Sequence, residues 1–385
     1  MTPGARVQAA IDVLDAVFAG APAEKALTRW SRNSRFAGAK DRAAVRDHVF
    51  DALRRRRSAI ALGGAETGRA VMLGLVRMSS VSPDTLFNGL GHAPEPLTSE
   101  EKAWIPTELT RNTLWNLPDW LADAFSRSLG PEAADTAALL QTRAPVCLRV
   151  NLSRAQVGDV QKQLAEEGIE TSPVDGIQTA LLAGNGARRL RHSSGFKNGL
   201  FDFQDAHSQA IALDLPKHSS VLDYCAGGGG KSLALADLWG AQVFAHDVDP
   251  ARMKDLPNRA KRAGVQVRLL RTPDLVAHRL FDVVLCDAPC SGSGSWRRTP
   301  EAKWTLTPER LAQFCNTQDA ILMAAARLVA PGGLLAFATC SVLQEENEAR
   351  VDSFLARHPA WRCIEQKRLP LSTDADGFFL AQFKR

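Results

Sequence analysis

Apolar positions in the first 140 residues recur at spacings of three and four. In GARVQAAIDVLDAVFAG, the residues Val7, Ala10, Ile11, Leu14, Val17 and Phe18 share one helical face. DRAAVRDHVFDALRRRR repeats the pattern with Val45, Val49, Phe50 and Leu53, and Asp41 reads as its N-cap. Strand signals are scarce here. A stretch rich in Gly, Pro and Ser at 79–99 breaks the periodicity and predicts a long loop. Helical patterning resumes near Pro106, with Pro118 and Pro131 expected in the first turns of later helices.

At Cys147 the pattern shortens. CLRVN predicts a strand, SRAQVGDVQKQLAEEG a helix capped by Ser153 and stopped by Gly168, and TALLA and GLFDF two further strands. From residue 219 strands and helices alternate: SVLDY, a glycine loop and helix, QVFAHD, a helix, VQVRLL, FDVVLCD, a long helix over 308–329, and GGLLAFATC. Short apolar strands separated by helices predict a parallel sheet covered on both faces. The last segment, GFFLAQFKR, reads as an added antiparallel strand. The expected organisation is therefore three domains: helical over 1–140, a small α/β module over 141–205, and a larger α/β domain over 206–385.

Composition narrows the class. With 45% hydrophobic and 23% charged residues, the 385-residue chain reads as soluble and globular. No apolar run approaches the roughly 18 residues of a membrane span, and no signal-peptide pattern opens the chain, so a cytoplasmic, non-membrane protein is expected. Seven cysteines without a CxxC pair argue against a disulfide framework, and no nearby His or Cys cluster completes a metal site. A monomer is the default. The formal net charge is only +5, but residues 1–60 hold twelve Lys/Arg against six Asp/Glu. That segment includes Arg54-Arg55-Arg56-Arg57, which suits either a phosphate backbone or a solvated helix face.

Candidate chemistry lies at the predicted strand ends. VLDYCAGGGGK places Gly227, Gly228, Gly229 and Gly230 between a buried strand and a helix, where glycines and free N–H groups admit a ligand. P-loop spacing fails here. Asp247, at the end of the next strand, sits where a carboxylate accepts a ribose diol, which leaves NAD and S-adenosylmethionine both open. FDVVLCDAPCSGSGSWRRTPEAKW then ends a strand in Asp287 and Cys290, followed by Arg297, Arg298 and Lys303 with Trp296 and Trp304. A carboxylate, a thiol, cations and stacking rings together suit a flipped base. Fifty residues on, Thr339-Cys340-Ser341 ends another strand, making Cys340 a candidate nucleophile. Either cysteine alone would read as a core thiol; the pair at two strand ends favours chemistry.

These motifs resemble the RsmB/Nop (NSUN) family of RNA 5-methylcytosine methyltransferases. DAPCSGSG with RRTPEAKW, and ATCSVLQEENE, are similar to its two cysteine motifs; LDYCAGGGGK is similar to its cofactor loop, and GLFDFQDAHSQAIA to the segment leading into its catalytic domain. The resemblance implies a class I, Rossmann-like methyltransferase domain, an RRM-like module and a NusB-like RNA-binding domain at the N-terminus. It implies that Cys340 attacks the base, that Cys290 assists proton removal and release, and that Asp287 and Lys303 position the groups. It also implies that Cys225, Ala226, Gly227, Gly228, Gly229, Gly230, Lys231, Asp247 and Asp287 hold S-adenosylmethionine. Ribosomal RNA is the favoured substrate, with tRNA the alternative. The chain departs from the family at Gly228, where a proline is usual, and at Leu270-Arg271-Thr272-Pro273-Asp274, where a Gly-Asp pair is usual. Asp274 is the expected substitute for that acid. Both departures lie in the cofactor site, so a non-catalytic RNA-binding protein is the competing reading; methylation of a nitrogen or a protein would need no Cys340.

Overall fold

The computed structural model describes residues 1–106, 108–277 and 280–385. The chain divides into two compact units. One comprises Met1–Arg143 together with Trp296–Leu306, and the other Ala144–Ser295 and Thr307–Arg385. The expected modules at 141–205 and 206–385 thus fall in one unit, and eleven residues inside the expected third domain belong with the helical one.

The first unit is built from helices, among them Pro3–Phe18, Ala23–Asn33, Ala39–Arg54, Arg56–Gly63, Gly68–Arg77 and Asp119–Leu129. Val7, Ala10, Ile11 and Leu14 bury the face that the periodicity marked, against Val45, Val49 and Leu53 of the third helix. Asp41 is not the N-cap of that helix. Gly38 is, and Asp41, at the third helical position, accepts the Gly38 N–H at 3.3 Å and the Arg6 guanidinium at 2.9 Å. A carboxylate in the first turn meets the unpaired N–H groups and the positive end of the helix dipole equally well. Pro118 and Pro131 sit at a helix N-cap and in a short 3-10 turn respectively.

The returning segment is pinned by its side chains. Trp296 is buried and stacks on Phe125 with ring centroids 5.9 Å apart. Trp304 donates its indole N–H to the Leu53 carbonyl at 2.7 Å, and the Ala23 N–H donates to Glu301 at 2.8 Å. Burial of a whole indole removes a large apolar area from water, which outweighs the cost of ordering a short loop.

The second unit contains two sheets. The smaller, of four antiparallel strands, is made from β1 (Val146–Val150), β2 (Thr171–Val174), β3 (Ile177–Ala183) and β4 (Phe201–Phe203), in the order β2-β3-β1-β4. Val160 and Leu164 of helix Val157–Glu166 cover it through Leu148, Val150, Leu181 and Phe201. Ser153 does not cap that helix. With the N–H of Leu152 it binds Asp237, whose buried carboxylate also faces Arg149 at 3.4 Å, and so ties the small sheet to helix Gly230–Trp239.

The larger sheet comprises β5 (Ser220–Asp223), β6 (Gln242–His246), β7 (Val267–Leu270), β8 (Phe281–Asp287), β9 (Val329–Thr339), β10 (Arg362–Leu369) and β11 (Phe378–Lys384), in the order β10-β11-β9-β8-β5-β6-β7. β7, β6, β5, β8 and β9 run parallel; β11 is antiparallel to both β9 and β10. Strands β2 and β10 had no sequence signal strong enough to find them, since both alternate weakly and are largely exposed. Apolar clusters cover both faces of this sheet. This is the Rossmann-like methyltransferase order. The strand order reverses at β5, with β6 on one side and β8 on the other, so the carboxyl ends of β5 and β8 open a crevice where ligands bind in such sheets.

Candidate active site

The glycine loop follows β5 at that crevice. Gly229 has φ +77° and begins helix Gly230–Trp239; a Cβ there would lie 2.3 Å from Leu256. Only glycine fits, in both conformation and space. Gly228, in place of the usual proline, differs: its φ lies outside the left-handed region, it is exposed, and a Cβ would meet only the Arg259 guanidinium at 3.3 Å. Asp247 braces the loop by accepting the Gly227 N–H at 2.9 Å and the Arg252 guanidinium at 3.1 Å, and it also accepts the Asp249 N–H.

Among the described residues, two buried acceptors beside the loop lack a partner. One is Oδ1 of Asp223, at the end of β5, whose other oxygen accepts the Ser232 hydroxyl at 2.6 Å. The other is Oε1 of Gln204, whose amide lies 3.7 Å from where a Gly230 Cβ would be. Burial pushes the Asp223 carboxyl up to about 7 against the bond from Ser232. Unsatisfied buried acceptors next to a glycine cradle suit a ligand that carries an ammonium group and bulky planar parts, and S-adenosylmethionine fits that description.

Asp274 makes a local contact. Its carboxylate binds the N–H and the guanidinium of Arg271 at 2.9 and 3.2 Å, a local cap on helix Thr272–Ala277. Nearby Thr272, an exposed residue, places its hydroxyl 3.0 Å from Nε2 of His246. A residue three positions into a helix meets its own N-terminal backbone more readily than a ligand.

At the adjoining strand end Asp287 is held by the buried Lys231 ammonium at 2.7 Å. Three residues on, the sulfur of Cys290 lies 3.4 Å from that of Cys340, which directly follows β9. Both thiols are half-buried and free of disulfides. The hydrogen bond to Cys340, and then burial, hold the Cys290 thiol protonated well above the ordinary cysteine range. In this contact either sulfur can serve as the S–H donor.

A polar clamp fixes both cysteine loops, and it had no sequence signal beyond the letters QEENE. Glu346, buried, accepts the Ser291 N–H at 2.7 Å, the hydroxyls of Ser291 and Ser341 at 2.5 Å each, and the Gln318 amide at 3.3 Å. Asn347 accepts from Thr339 at 2.6 Å and donates to the Ser341 carbonyl at 2.9 Å, so the residues on either side of Cys340 are both restrained. Gly294 donates to the Cys340 carbonyl and accepts from Gly377, each at 2.9 Å; a Cβ on Gly294 would lie 2.1 Å from the Gly377 oxygen.

Of the cations and rings expected around a base, Trp296, Arg297, Lys303 and Trp304 belong to the helical unit. Lys303 is buried and donates to the Arg54 carbonyl at 2.8 Å; burial and the neighbouring Arg54 charge bring its ammonium down to about 7. The tetra-arginine run does not form a phosphate-facing row. Arg54 is buried against the Arg297 carbonyl and Asp51, Arg56 pairs with Glu66, and Arg57 pairs with Asp119. The run spans a helix junction, with Arg54 ending one helix, Arg55 at the break and Arg56 and Arg57 opening the next, so its members do not share one helical face.

Among the described residues there is no group of three or more His, Cys, Asp or Glu able to hold a metal ion, and no single helix is long and apolar enough to cross a membrane.

Comparison with known proteins converges on one group. The family model described as 16S rRNA methyltransferase RsmB/F matches residues 210–384, and one described as the ferredoxin-like domain of RsmF/B-like methyltransferases matches 117–186. The ribosomal RNA small subunit methyltransferase B of Xylella fastidiosa (strain Temecula1) is 32% identical over 308 residues, covering 74% of this chain and 68% of that protein. That of Sodalis glossinidius is 36% identical over 236 residues, covering 53% of this chain and 54% of that protein. A solved methyltransferase homologue from Pyrococcus horikoshii is 25% identical with a TM-score of 0.63, covering 73% of this chain and all of that one. The chain belongs to the RsmB/F family of S-adenosylmethionine-dependent ribosomal RNA methyltransferases.

Proposed function

We propose that this protein methylates carbon 5 of a cytosine in small-subunit ribosomal RNA through a covalent adduct with Cys340. The observation that carries the reading is the 3.4 Å approach of two free thiols at the ends of adjacent strands β8 and β9. A transferase acting on a nitrogen needs no nucleophile and gives no reason to hold two sulfurs together.

S-adenosylmethionine supplies an electrophilic methyl group. Gly227 to Lys231, with Asp223, Asp247 and Gln204, would hold it, and Cys225 and Ala226 form the start of the same loop. Cys340, as thiolate, adds to carbon 6 of the base; the S–C6 bond forms and the displaced pair makes carbon 5 nucleophilic. Asp287, oriented by Lys231, bonds the base edge near N3. After carbon 5 is alkylated its proton passes to Cys290, the pair from that C–H bond restores the C5–C6 double bond, and the S–C6 bond breaks.

The raised pKa of Cys290 supports an order for these events. Its largest cause is the hydrogen bond to Cys340. Before addition Cys290 as a donor would steady the Cys340 thiolate; once that sulfur is bound to carbon it is a poor acceptor, and Cys290, losing its proton to solvent, becomes the thiolate that then takes the carbon 5 proton. In the same reading the helical unit is a NusB-like RNA-binding domain and 141–205 an RRM-like module. Lys303, by its burial and its bond to Arg54, pins the returning segment rather than touching the base. Asp274 caps its own helix, leaving Thr272 nearer the adenine side.

The test is transfer of labelled methyl groups to ribosomal RNA from a strain lacking this gene. Label in 5-methylcytosine with wild type and none with Cys340→Ala supports the proposal; full activity in the variant defeats it.

A further inference from the structure

With Arg54, Arg56 and Arg57 of the tetra-arginine run engaged internally, the rest of the N-terminal segment's basic excess is to be sought beyond that run. Residues 21–46 contain seven Lys/Arg and two Asp/Glu. Lys25, Arg29 and Arg32 follow one another at helical spacings of four and three on helix Ala23–Asn33, and they line a common shallow concavity. A second concavity, sharing Glu24, Thr28 and Arg32 with the first, continues to Arg42 and Arg46. The five cations thus form a continuous strip. The turn that follows the helix exposes Arg35 and, at 75% exposure, the ring of Phe36.

Among the described residues Arg46 of this strip pairs with Glu24, while its other four cations, Lys25, Arg29, Arg32 and Arg42, have no carboxylate partner. Among the described residues no carboxylate pairs with Lys25, Arg29, Arg32, Arg35 or Lys40, whereas the nearby acids are all engaged: Glu24 with Arg46, Asp41 with Arg6, and Asp47 with Arg143. Helix Ala23–Asn33 buries only Ala23, Ala26 and Leu27, so its basic face costs the core nothing to present. Unpaired like charges set side by side repel one another, and a polyanion that releases counterions on binding is what relieves them. Guanidinium forks match phosphate oxygens, and an exposed ring at the end of such a strip can stack an unpaired base.

We propose that the strip Lys25, Arg29, Arg32, Arg42 and Arg46, extended by Arg35 and Phe36, is the RNA-docking surface of the helical unit, engaging the phosphodiester backbone. The inference rests on the reading of the protein as an RNA methyltransferase and names the surface that reading leaves unassigned.

The experiment measures binding of the full-length protein to in-vitro transcribed small-subunit ribosomal RNA over a salt series, comparing wild type with Lys25→Glu/Arg29→Glu/Arg32→Glu. All three positions are exposed, so the melting temperature and S-adenosylmethionine binding should be unchanged. The expected result is a fall in affinity of about tenfold or more near 0.1 M salt and a slope of log K against log salt shallower by about 2 to 3, from roughly 0.7–0.9 for each phosphate that is no longer neutralised. Phe36→Ala should weaken binding to single-stranded RNA with the slope intact. Wild-type affinity and slope in the triple variant would overturn the proposal, as would a variant that loses adsorption to phosphatidylglycerol vesicles but keeps RNA. Failure of the wild type itself to bind RNA would instead defeat the methyltransferase reading, and the docking surface with it.

Discussion

The sulfur atoms of Cys290 and Cys340 lie 3.4 Å apart although 50 residues separate them in the chain. The parallel pairing of β8 with β9, in register through Asp287 and Ala338, brings their carboxyl ends together, and each cysteine follows its own strand within three residues.

The two thiols should behave differently when removed. Cys340→Ser is expected to reduce methyl transfer to background with no adduct, whereas Cys290→Ala should accumulate a covalent protein–RNA complex, because addition proceeds and release does not. Denaturing gels of turnover mixtures read both; an adduct in Cys340→Ser but not in Cys290→Ala would reverse the assigned roles.

Glu346 accepts four hydrogen bonds without solvent, and burial raises its carboxyl above the usual range. Glu346→Gln points an amide donor at donors. Destabilisation of about 2 kcal/mol or more is expected, with kcat falling further than KM rises, since the clamp positions the cysteines rather than binding substrate. Denaturant unfolding and steady-state kinetics check the two parts.

Gly294→Ala places a methyl group on the Gly377 backbone. The cost should be about 1–3 kcal/mol, together with a collapse of methyl transfer as the Cys340 carbonyl is deprived of its donor. Gly377→Ala, which would press on the same place and on Val342, should reproduce the defect.

Gly228→Pro should be tolerated, because its φ is not left-handed and, among the described residues, its N–H has no protein acceptor. Removing loop freedom is worth about 0.4–1 kcal/mol, so S-adenosylmethionine is expected to bind about two- to fivefold more tightly by calorimetry. Weaker binding would mean that the glycine is required here.

Lys303 gives a stability signature. Its ammonium is depressed to about 7 from 10.5, so between those values the unfolded state binds the extra proton and stability rises with pH. The rise should be on the order of 1 kcal/mol per pH unit and should be missing in Lys303→Met. Parallel pH profiles for the two proteins would show that the lysine is not buried as charged.

Much was readable along the chain because it is local. The apolar face of Val7, Ala10, Ile11 and Leu14, the β5–glycine–helix turn, and the cysteines at two strand ends all follow from spacings within a few residues, where helix and strand geometry act directly. Partnerships were not readable. Arg54 to Arg57 are indistinguishable as letters from a phosphate-binding row, and their separate destinies were decided by Asp51, Glu66, Asp119 and the Arg297 carbonyl. Asp274, read as a ligand, also caps its own helix by accepting the N–H of Arg271, which local spacing alone did not show. Trp296 and Trp304 looked like stacking platforms and became anchors of a segment that joins the helical unit. The order of residues thus dictated which element carries each functional group, since that depends on local periodicity. Folding in three dimensions settled which cations stayed unpaired, which rings were buried and which two thiols meet, because burial and hydrogen bonding depend on what the rest of the chain brings alongside.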